Sequence, residues 1–323
     1  KKINCFSLKP KDKDYNENYL IKRNLEKINC NHNFITIHKK DNLNLLKDIV
    51  EKTSTLLPTI TTLLHSSICK KIKSKGYKVI VTGTGGDEMF GGYFIHYLHY
   101  LHSIKNKTFF KNEYMDWKKY KFPIIRSPNL KNFEKYSSSS NFKNPFYTNL
   151  ETKKYFRSFN QFKYKSRSEK ISNHLKKKLY DQLFCESLPN QLHWGDSVSM
   201  YNGLENRSPF LNFNIFEKSF SYPNHFLISK GHNKRILRDA MKNIVHKEVL
   251  ASRNKIGFFM NINHIFDLKN KKLKNVLFSN EFIKSLIKEE KLNSLINKNK
   301  ISNQEAHLIF SILSTSFFLN YYG

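Results

Sequence analysis

The segment Tyr77-Lys-Val-Ile-Val-Thr82, running directly into Gly83-Thr-Gly-Gly-Asp-Glu-Met-Phe-Gly-Gly-Tyr93, constrains the fold more than any other part of the chain. A β-branched run bounded by glycine reads as a buried strand. Gly83, Gly85 and Gly86 permit backbone conformations and close approaches that a Cβ forbids, and an aromatic helix is expected from about Glu88 to Ser103. A strand that turns through glycine into a helix is the junction where a doubly wound α/β sheet holds its ligand, and helix-start N–H groups favour anions. By itself the pattern leaves two readings open, a nucleotide loop and an ordinary Gly-rich turn. Asp87, at the end of the loop, suits Mg²⁺, which binds through one or two carboxylates plus phosphate oxygens. It suits helix capping equally well.

The residues upstream alternate in the same style. Ile3 to Leu8 reads as a short strand, Asn16 to Ile28 as a helix with Leu20, Leu25 and Ile28 facing the core, and Asn33 to Ile37 as a second strand. Two helices are expected next. The first is capped by Asp41 and carries Leu45, Leu46, Ile49 and Val50; the second has Pro58 in its first turn and Ile60, Leu63, Leu64, Ile68 and Ile72 on one face, with Gly76 as C-cap. The expected order of strands and helices is that of an α/β fold with a parallel sheet. From Lys105 to Lys178 charged and aromatic residues mix with Pro123, Pro128, Pro145 and the serine run Ser137 to Ser140, the texture of a connector or insertion. Helical periodicity resumes at Leu179 and continues to the end.

Lysine and arginine outnumber the acids 56 to 26, a formal charge of +30. Such a balance raises a basic nucleic-acid binder as an alternative, with Lys and aromatic residues interleaved between 105 and 178. Arginine supplies only eight of the 56, however, and alanine occurs only at Ala240, Ala251 and Ala306. That Lys/Asn/Ile bias with little alanine follows the codon usage of an AT-rich genome, so the charge is a weak footprint, and no nucleic-acid module accompanies it. At 39% hydrophobic and 14% aromatic, the chain has the apolar material for a packed core. Cys5, Cys30, Cys69 and Cys185 form no C-x-x-C pair, which points away from a zinc site or a disulfide framework and towards a reduced, cytoplasmic chain. The most apolar stretch, Leu308 to Leu319, is interrupted by Ser311, Ser314, Thr315 and Ser316; it is too short to span a bilayer and reads as a buried helix. No membrane partner is expected.

Four colinear blocks resemble the synthetase domain of the glutamine-hydrolysing asparagine synthetase family. The Gly-rich block is similar to that family's S-G-E-G-S/G-D-E-x-F-G-G-Y. Ser199-Met-Tyr-Asn-Gly-Leu-Glu-Asn-Arg-Ser-Pro-Phe-Leu-Asn212 resembles S-M-x-x-x-x-E-x-R-x-P-F-L-D, Asn233-Lys-Arg-Ile-Leu-Arg-Asp-Ala-Met241 resembles K-x-x-L-R-x-A-x, and Lys255-Ile-Gly-Phe258 resembles K-x-G-F. The opening Cys5-Phe-Ser-Leu8 resembles the T-F-S-I strand of the adenine pocket. The resemblance implies an adenine-nucleotide α-hydrolase-like (Rossmann-like) α/β fold with a largely helical C-terminal half. Residues 1–104 would form its nucleotide-binding half, 105–178 a connector or insertion, and 179–323 its helical half.

The resemblance also implies chemistry, in which a carboxylate attacks the α-phosphorus of ATP, pyrophosphate leaves, and ammonia displaces AMP to give an amide. Lys234 becomes the cationic partner of pyrophosphate and Asp87 the Mg²⁺ ligand, while Ser7, Leu8, Gly83, Thr84, Gly85 and Gly86 contact ATP. Glu205, Arg207 and Lys255 orient substrate or serve structure, and for Lys255 a segment closing over substrate competes with an ordinary turn. His193 and Trp194 are expected to be packing residues. The implied partners are ATP, aspartate or another carboxylate acceptor, and ammonia from a glutaminase domain not found in this chain; a homodimer stays open.

Several features depart from the family pattern. The chain opens on Lys1, and Cys5 in a strand does not suit the nucleophile of a glutaminase. The S-G-G-x-D-S pyrophosphate loop and the strand before it are not found, so the chain reads as an N-terminally truncated synthetase domain, expected to be inactive alone. The acid expected in the Gly loop is Thr84, a hydroxyl that cannot act as a base near neutral pH. The last Asp of P-F-L-D is Asn212. These departures leave room for an acceptor other than aspartate, such as the carboxylated sugars of surface polysaccharides.

Overall fold

The computed structural model describes residues 2–10, 16–134, 150–158, 168, 170–258 and 260–323. The serine run Ser137 to Ser140 and Pro145 lie outside the described residues.

Two parallel strand pairs are laid over helices. β1 (Ile3–Leu8) pairs with β2 (Cys30–Ile35) in the register Ile3 opposite Cys30 through Leu8 opposite Ile35. β3 (Val79–Val81) pairs with β4 (Glu205–Arg207), Val79 opposite Glu205. β5 (Ile228–Ser229) and β6 (His232–Asn233) close a tight antiparallel turn. The helices that frame the site are α1 (Asn18–Leu25), α2 (Asn42–Thr53), α3 (Ile60–Lys73), α4 (Gly86–Phe90), α5 (Phe94–Ser103), α6 (Phe110–Tyr120), α7 (His174–Phe184), α8 (Ser187–Tyr201), α9 (Phe213–Ser221), α10 (Arg235–Ala240) and α11 (Asn303–Tyr322).

The single sheet expected from the sequence is thus two separate pairs among the described residues. Helix α3 bridges them: Cys69 and Ile72 form one apolar cluster with Ile80 of β3 and Leu204, and Phe6 of β1 packs against it. The Phe6 and Tyr77 rings meet edge to face at 5.9 Å. Because α3 covers one face only, Ile80 is buried while Val79 and Val81 are 54% and 71% exposed, so the strand read as buried is buried on one side.

Two larger cores flank this seam. One joins Leu46, Ile49 and Val50 of α2 and Leu63 and Leu64 of α3 to α11, where Ile309, Phe310 and Leu313 are buried. The apolar stretch Leu308 to Leu319 is therefore an interior helix, started by a capping box between Ser302 and Glu305. No helix among the described residues is long and apolar enough to cross a membrane. The other core packs α5 and α7 against Trp117 of α6, so the described part of 105–178 contributes a fully buried tryptophan.

Local differences from the expected elements have local causes. Asp41 occupies the N-cap of α2 but at φ +69° and without a side-chain cap bond. Thr59 is the N-cap of α3, which leaves Pro58 just outside the helix. Helix α1 is shorter than expected and has no fully buried residue. The helix expected from Glu88 to Ser103 breaks into α4 and α5, because Gly91 turns left-handed at φ +72°.

Candidate active site

The loop after β3 brings Asp87 into α4, where its carboxylate meets two lysines from distant parts of the chain. Lys234 Nζ lies 3.1 Å from Asp87 Oδ1, and Lys255 Nζ lies 3.1 Å from Oδ2. All three side chains are largely withdrawn from solvent. Burial acts to raise the Asp87 carboxyl, and the Lys255 and Lys234 ammoniums outweigh it, holding the group below the usual carboxylate range. The Lys255 ammonium also sits 5.4 Å from the centre of the Tyr93 ring.

The fold fixes this cluster through neighbours of the named residues. Lys234 is the N-cap of α10 and adopts φ +54°, an uncommon conformation for a side-chain-bearing residue. Asn233, just before it, donates from Nδ2 to the carbonyl oxygens of Gly91 (2.6 Å) and Tyr93 (3.1 Å), pinning β6 to the turn between α4 and α5. Gly92 lies within that turn, against the ion pair. A Cβ built there would stand 1.7 Å from Asp87 Oδ1 and 2.4 Å from Lys234 Cε. Beside Asp87, Glu88 is buried and accepts from the Tyr93 hydroxyl at 2.7 Å. Burial raises its carboxyl.

The glycines of the loop rest on the P-F-L block. Gly85 turns at φ +87°, and a Cβ there would fall 2.2 Å from Leu211 Cδ2. Gly83 and Gly86 face the Phe210 ring. Thr84 lies at 3.0 Å, hydroxyl to hydroxyl, from Thr82, which also donates to Asn206 Oδ1 at 3.2 Å. Glu205 and Arg207 form an ion pair along the exposed face of β4, away from the Asp87 cluster's contacts. Asn212 caps α9, its side chain accepting from the Asn214 amide at 2.9 Å. His193 is exposed and Trp194 half-buried on α8, so His193 is not the packing residue expected.

Ser7 and Leu8 line a separate cavity of about 190 Å³, together with Phe6, Glu17, Ile21, Ile68, Gly257 and Phe258. Ser7 Oγ is within 3.0 Å of His32 Nε2 on the paired strand. The cavity and the ion-pair cluster are electrostatic neighbours. Burial raises the Glu17 carboxyl although part of it faces solvent, and Lys255, Asp87 and Lys234 are the charges that act on it. The coil from Ser252 to Phe258 belongs to both, through Lys255 on one side and Gly257 and Phe258 on the other.

For a divalent ion the donors are sparse: among the described residues no group of three His, Cys, Asp or Glu side chains converges. Asp87 Oδ1 is nevertheless buried and accepts no aligned hydrogen bond, although Lys234 is near. One carboxylate oxygen of that kind fits a metal that arrives with phosphate oxygens and does not fit a resident metal held by protein alone. The residues Asn233, Gly92 and Glu17 were not legible as site residues in the sequence. Asn233 and Gly92 lie within quoted blocks but carry no reactive group, and Glu17 has no motif.

Comparison with known proteins adds two findings. The family described as asparagine synthase matches residues 1–317 of this chain. Asparagine synthetase [glutamine-hydrolyzing] 1 of Bacillus subtilis (strain 168) is 33% identical over 106 residues, a match that covers 33% of this chain and 15% of that protein.

Proposed function

We propose, from the premise that this chain belongs to the asparagine synthase family, that it carries the ATP-dependent amide-forming centre of an amidotransferase-type ligase with an adenine-nucleotide α-hydrolase-like fold. The observation that supports the reading best is the pair Lys234 and Lys255 on Asp87, next to the cavity lined by Ser7 and Leu8. Residues 1–104 and 179–323 would then be the nucleotide and helical halves of one synthetase unit, with 105–178 between them.

In this reading the cavity takes the adenine nucleoside and the two ammoniums turn from Asp87 to the departing pyrophosphate. A carboxylate resists amines because its leaving group would be oxide. Attack of the substrate carboxylate oxygen on the α-phosphorus forms one P–O bond and breaks the bond to the β-phosphate bridging oxygen, leaving an acyl-adenylate. Ammonia then attacks the acyl carbon, the C–O bond to AMP breaks, and the nitrogen loses a proton to give the amide. Lys234 and Lys255 favour the first step because negative charge grows on the leaving pyrophosphate. Gly83, Thr84, Gly85 and Gly86 would border the phosphates. Mg²⁺ carried by ATP would neutralise further phosphate charge, with Asp87 as its protein ligand. Ammonia would come from glutamine hydrolysed elsewhere in the complete assembly.

Aspartate is the acceptor this reading favours, which makes the product asparagine. Thr84, a hydroxyl where the family pattern has an acid, favours a second reading in which a carboxylated sugar is the acceptor. In the full-length gene product, Lys234→Ala should reduce ATP–pyrophosphate exchange to background. Normal exchange in that variant would remove Lys234 from the mechanism. A product assay offering aspartate against a uronic-acid nucleotide sugar decides the acceptor.

A further inference from the structure

The strap from Ser252 to Phe258 carries Lys255 to Asp87 and places Gly257 and Phe258 on the cavity wall. Among the described residues, 253–258 donate no backbone hydrogen bond to another backbone group. Among the described residues the contacts that reach this stretch are from side chains.

Two of these contacts come from consecutive residues at the end of α6. Lys121 is 2% exposed, and its Nζ donates to the Arg253 carbonyl oxygen at 2.7 Å. Tyr120 presents its ring to the Arg253 guanidinium, 4.0 Å from Cζ to the ring centroid. The ring is itself fixed by the turn between β5 and β6, since a Cβ on Gly231 would come within 2.5 Å of it. Arg253 and Lys255 are two residues apart, so fixing the Arg253 carbonyl confines the Lys255 backbone to within about 7 Å of it. Lys121 is also a costly residue in its place. Among the described residues its ammonium has no carboxylate partner, and Arg238 and Arg253 are the charges that act on it.

We propose that Tyr120 and Lys121 are positioning residues that clamp Arg253 and thereby hold Lys255 at Asp87 and the strap over the cavity. The proposal rests on reading Lys255 as part of the site, but its test does not use activity, so the two fail separately: normal exchange in Lys234→Ala removes the reaction and leaves the clamp standing.

Trypsin cuts after Arg253 and Lys255, and each cut requires the strap to open. Lys121→Met keeps the length and apolar stem of the side chain while removing the donor and the buried charge. In this chain the clamp predicts that cleavage at these two bonds speeds up about tenfold or more, while the urea midpoint stays level or rises as the buried cation is relieved. A purely structural role would move both in the unfavourable direction. Cleavage unchanged in Lys121→Met, or acceleration matched by a lower midpoint, would each overturn the clamp. Should Lys121→Met not fold, Tyr120→Leu takes its place: faster cleavage at an unchanged midpoint supports the clamp, and any other result overturns it.

Discussion

Gly92→Ala tests the ion-pair cluster without touching a charged group. The added Cβ would begin 1.7 Å from Asp87 Oδ1, 2.6 Å from Asp87 Cγ and 2.4 Å from Lys234 Cε. Real Cβ atoms essentially never approach under 3.0 Å, so the carboxylate must withdraw by more than an ångström, and both lysines sit only 3.1 Å from it. At 3.1 Å and an effective dielectric of 20, each pair has a gross Coulomb attraction of about 5 kcal/mol, which falls to about 3 kcal/mol near 5 Å. Water entering the opened site recovers part of that difference. Adding ~1–3 kcal/mol for overpacking, the variant should lose about 2–4 kcal/mol in urea unfolding with an unchanged m-value. In the full-length product its ATP–pyrophosphate exchange should collapse along with the pair geometry. Gly257→Ala is the matched control, because a Cβ there meets nothing within 4 Å among the described residues, and its midpoint should stay within about 0.5 kcal/mol of the parent. A Gly92→Ala chain as stable as Gly257→Ala would refute the placement of Asp87 and Lys234 around that turn.

Two further outcomes follow from groups away from the lysine pair. Burial, with Arg238 and Arg253 nearby, pushes the Lys121 ammonium down to about 7, and burial pushes Lys176 down to about 8. Unfolded lysines hold their protons to about 10.4, so above pH 7 the unfolded state binds more protons and stability rises with pH. Below 7 both states are protonated and the penalty is complete. The urea midpoint should therefore climb between pH 7 and 8.5, a window below which the buried histidines act and above which Cys69, pushed up to about 11, opposes the trend. A flat midpoint in the parent, or an equal slope in Lys121→Met, counts against this account. Asn212→Asp, which restores the family residue, should change stability by less than about 0.5 kcal/mol, because both residues cap α9 equally well; a large change would mean Asn212 does more than cap.

What the sequence made legible is what local chemistry dictates. The strand Ile3–Leu8 and the core faces of α2 and α3 follow from periodicity alone; Asp87, Lys234 and Lys255 stand out only through the blocks that resemble the family, and the fold brings their side chains together. The illegible part is made of contacts between distant segments. Lys121 and Arg253 are 132 residues apart, and Asn233 and Gly91 are 142 apart. Neither pairing has a period, a spacing or a turn residue to announce it. Residue type misleads here as well. A lysine in a chain with 56 basic residues reads as surface, and Lys121 is among its largest fully buried side chains.

The same reasoning limits what the charge of +30 says about function. A nucleic-acid surface needs lysines that are free, exposed and aligned, so that displaced counterions supply the affinity. The lysines that define this molecule's chemistry are the opposite kind. Lys234 and Lys255 are committed to one carboxylate, and Lys121 and Lys176 donate to the carbonyl oxygens of Arg253 and Ser219. Cations held part-buried around a single acid are poised for a ligand that can displace that acid by offering more negative charge at the same place. In the proposed reading a polyphosphate is that ligand, since it concentrates several negative charges at one point.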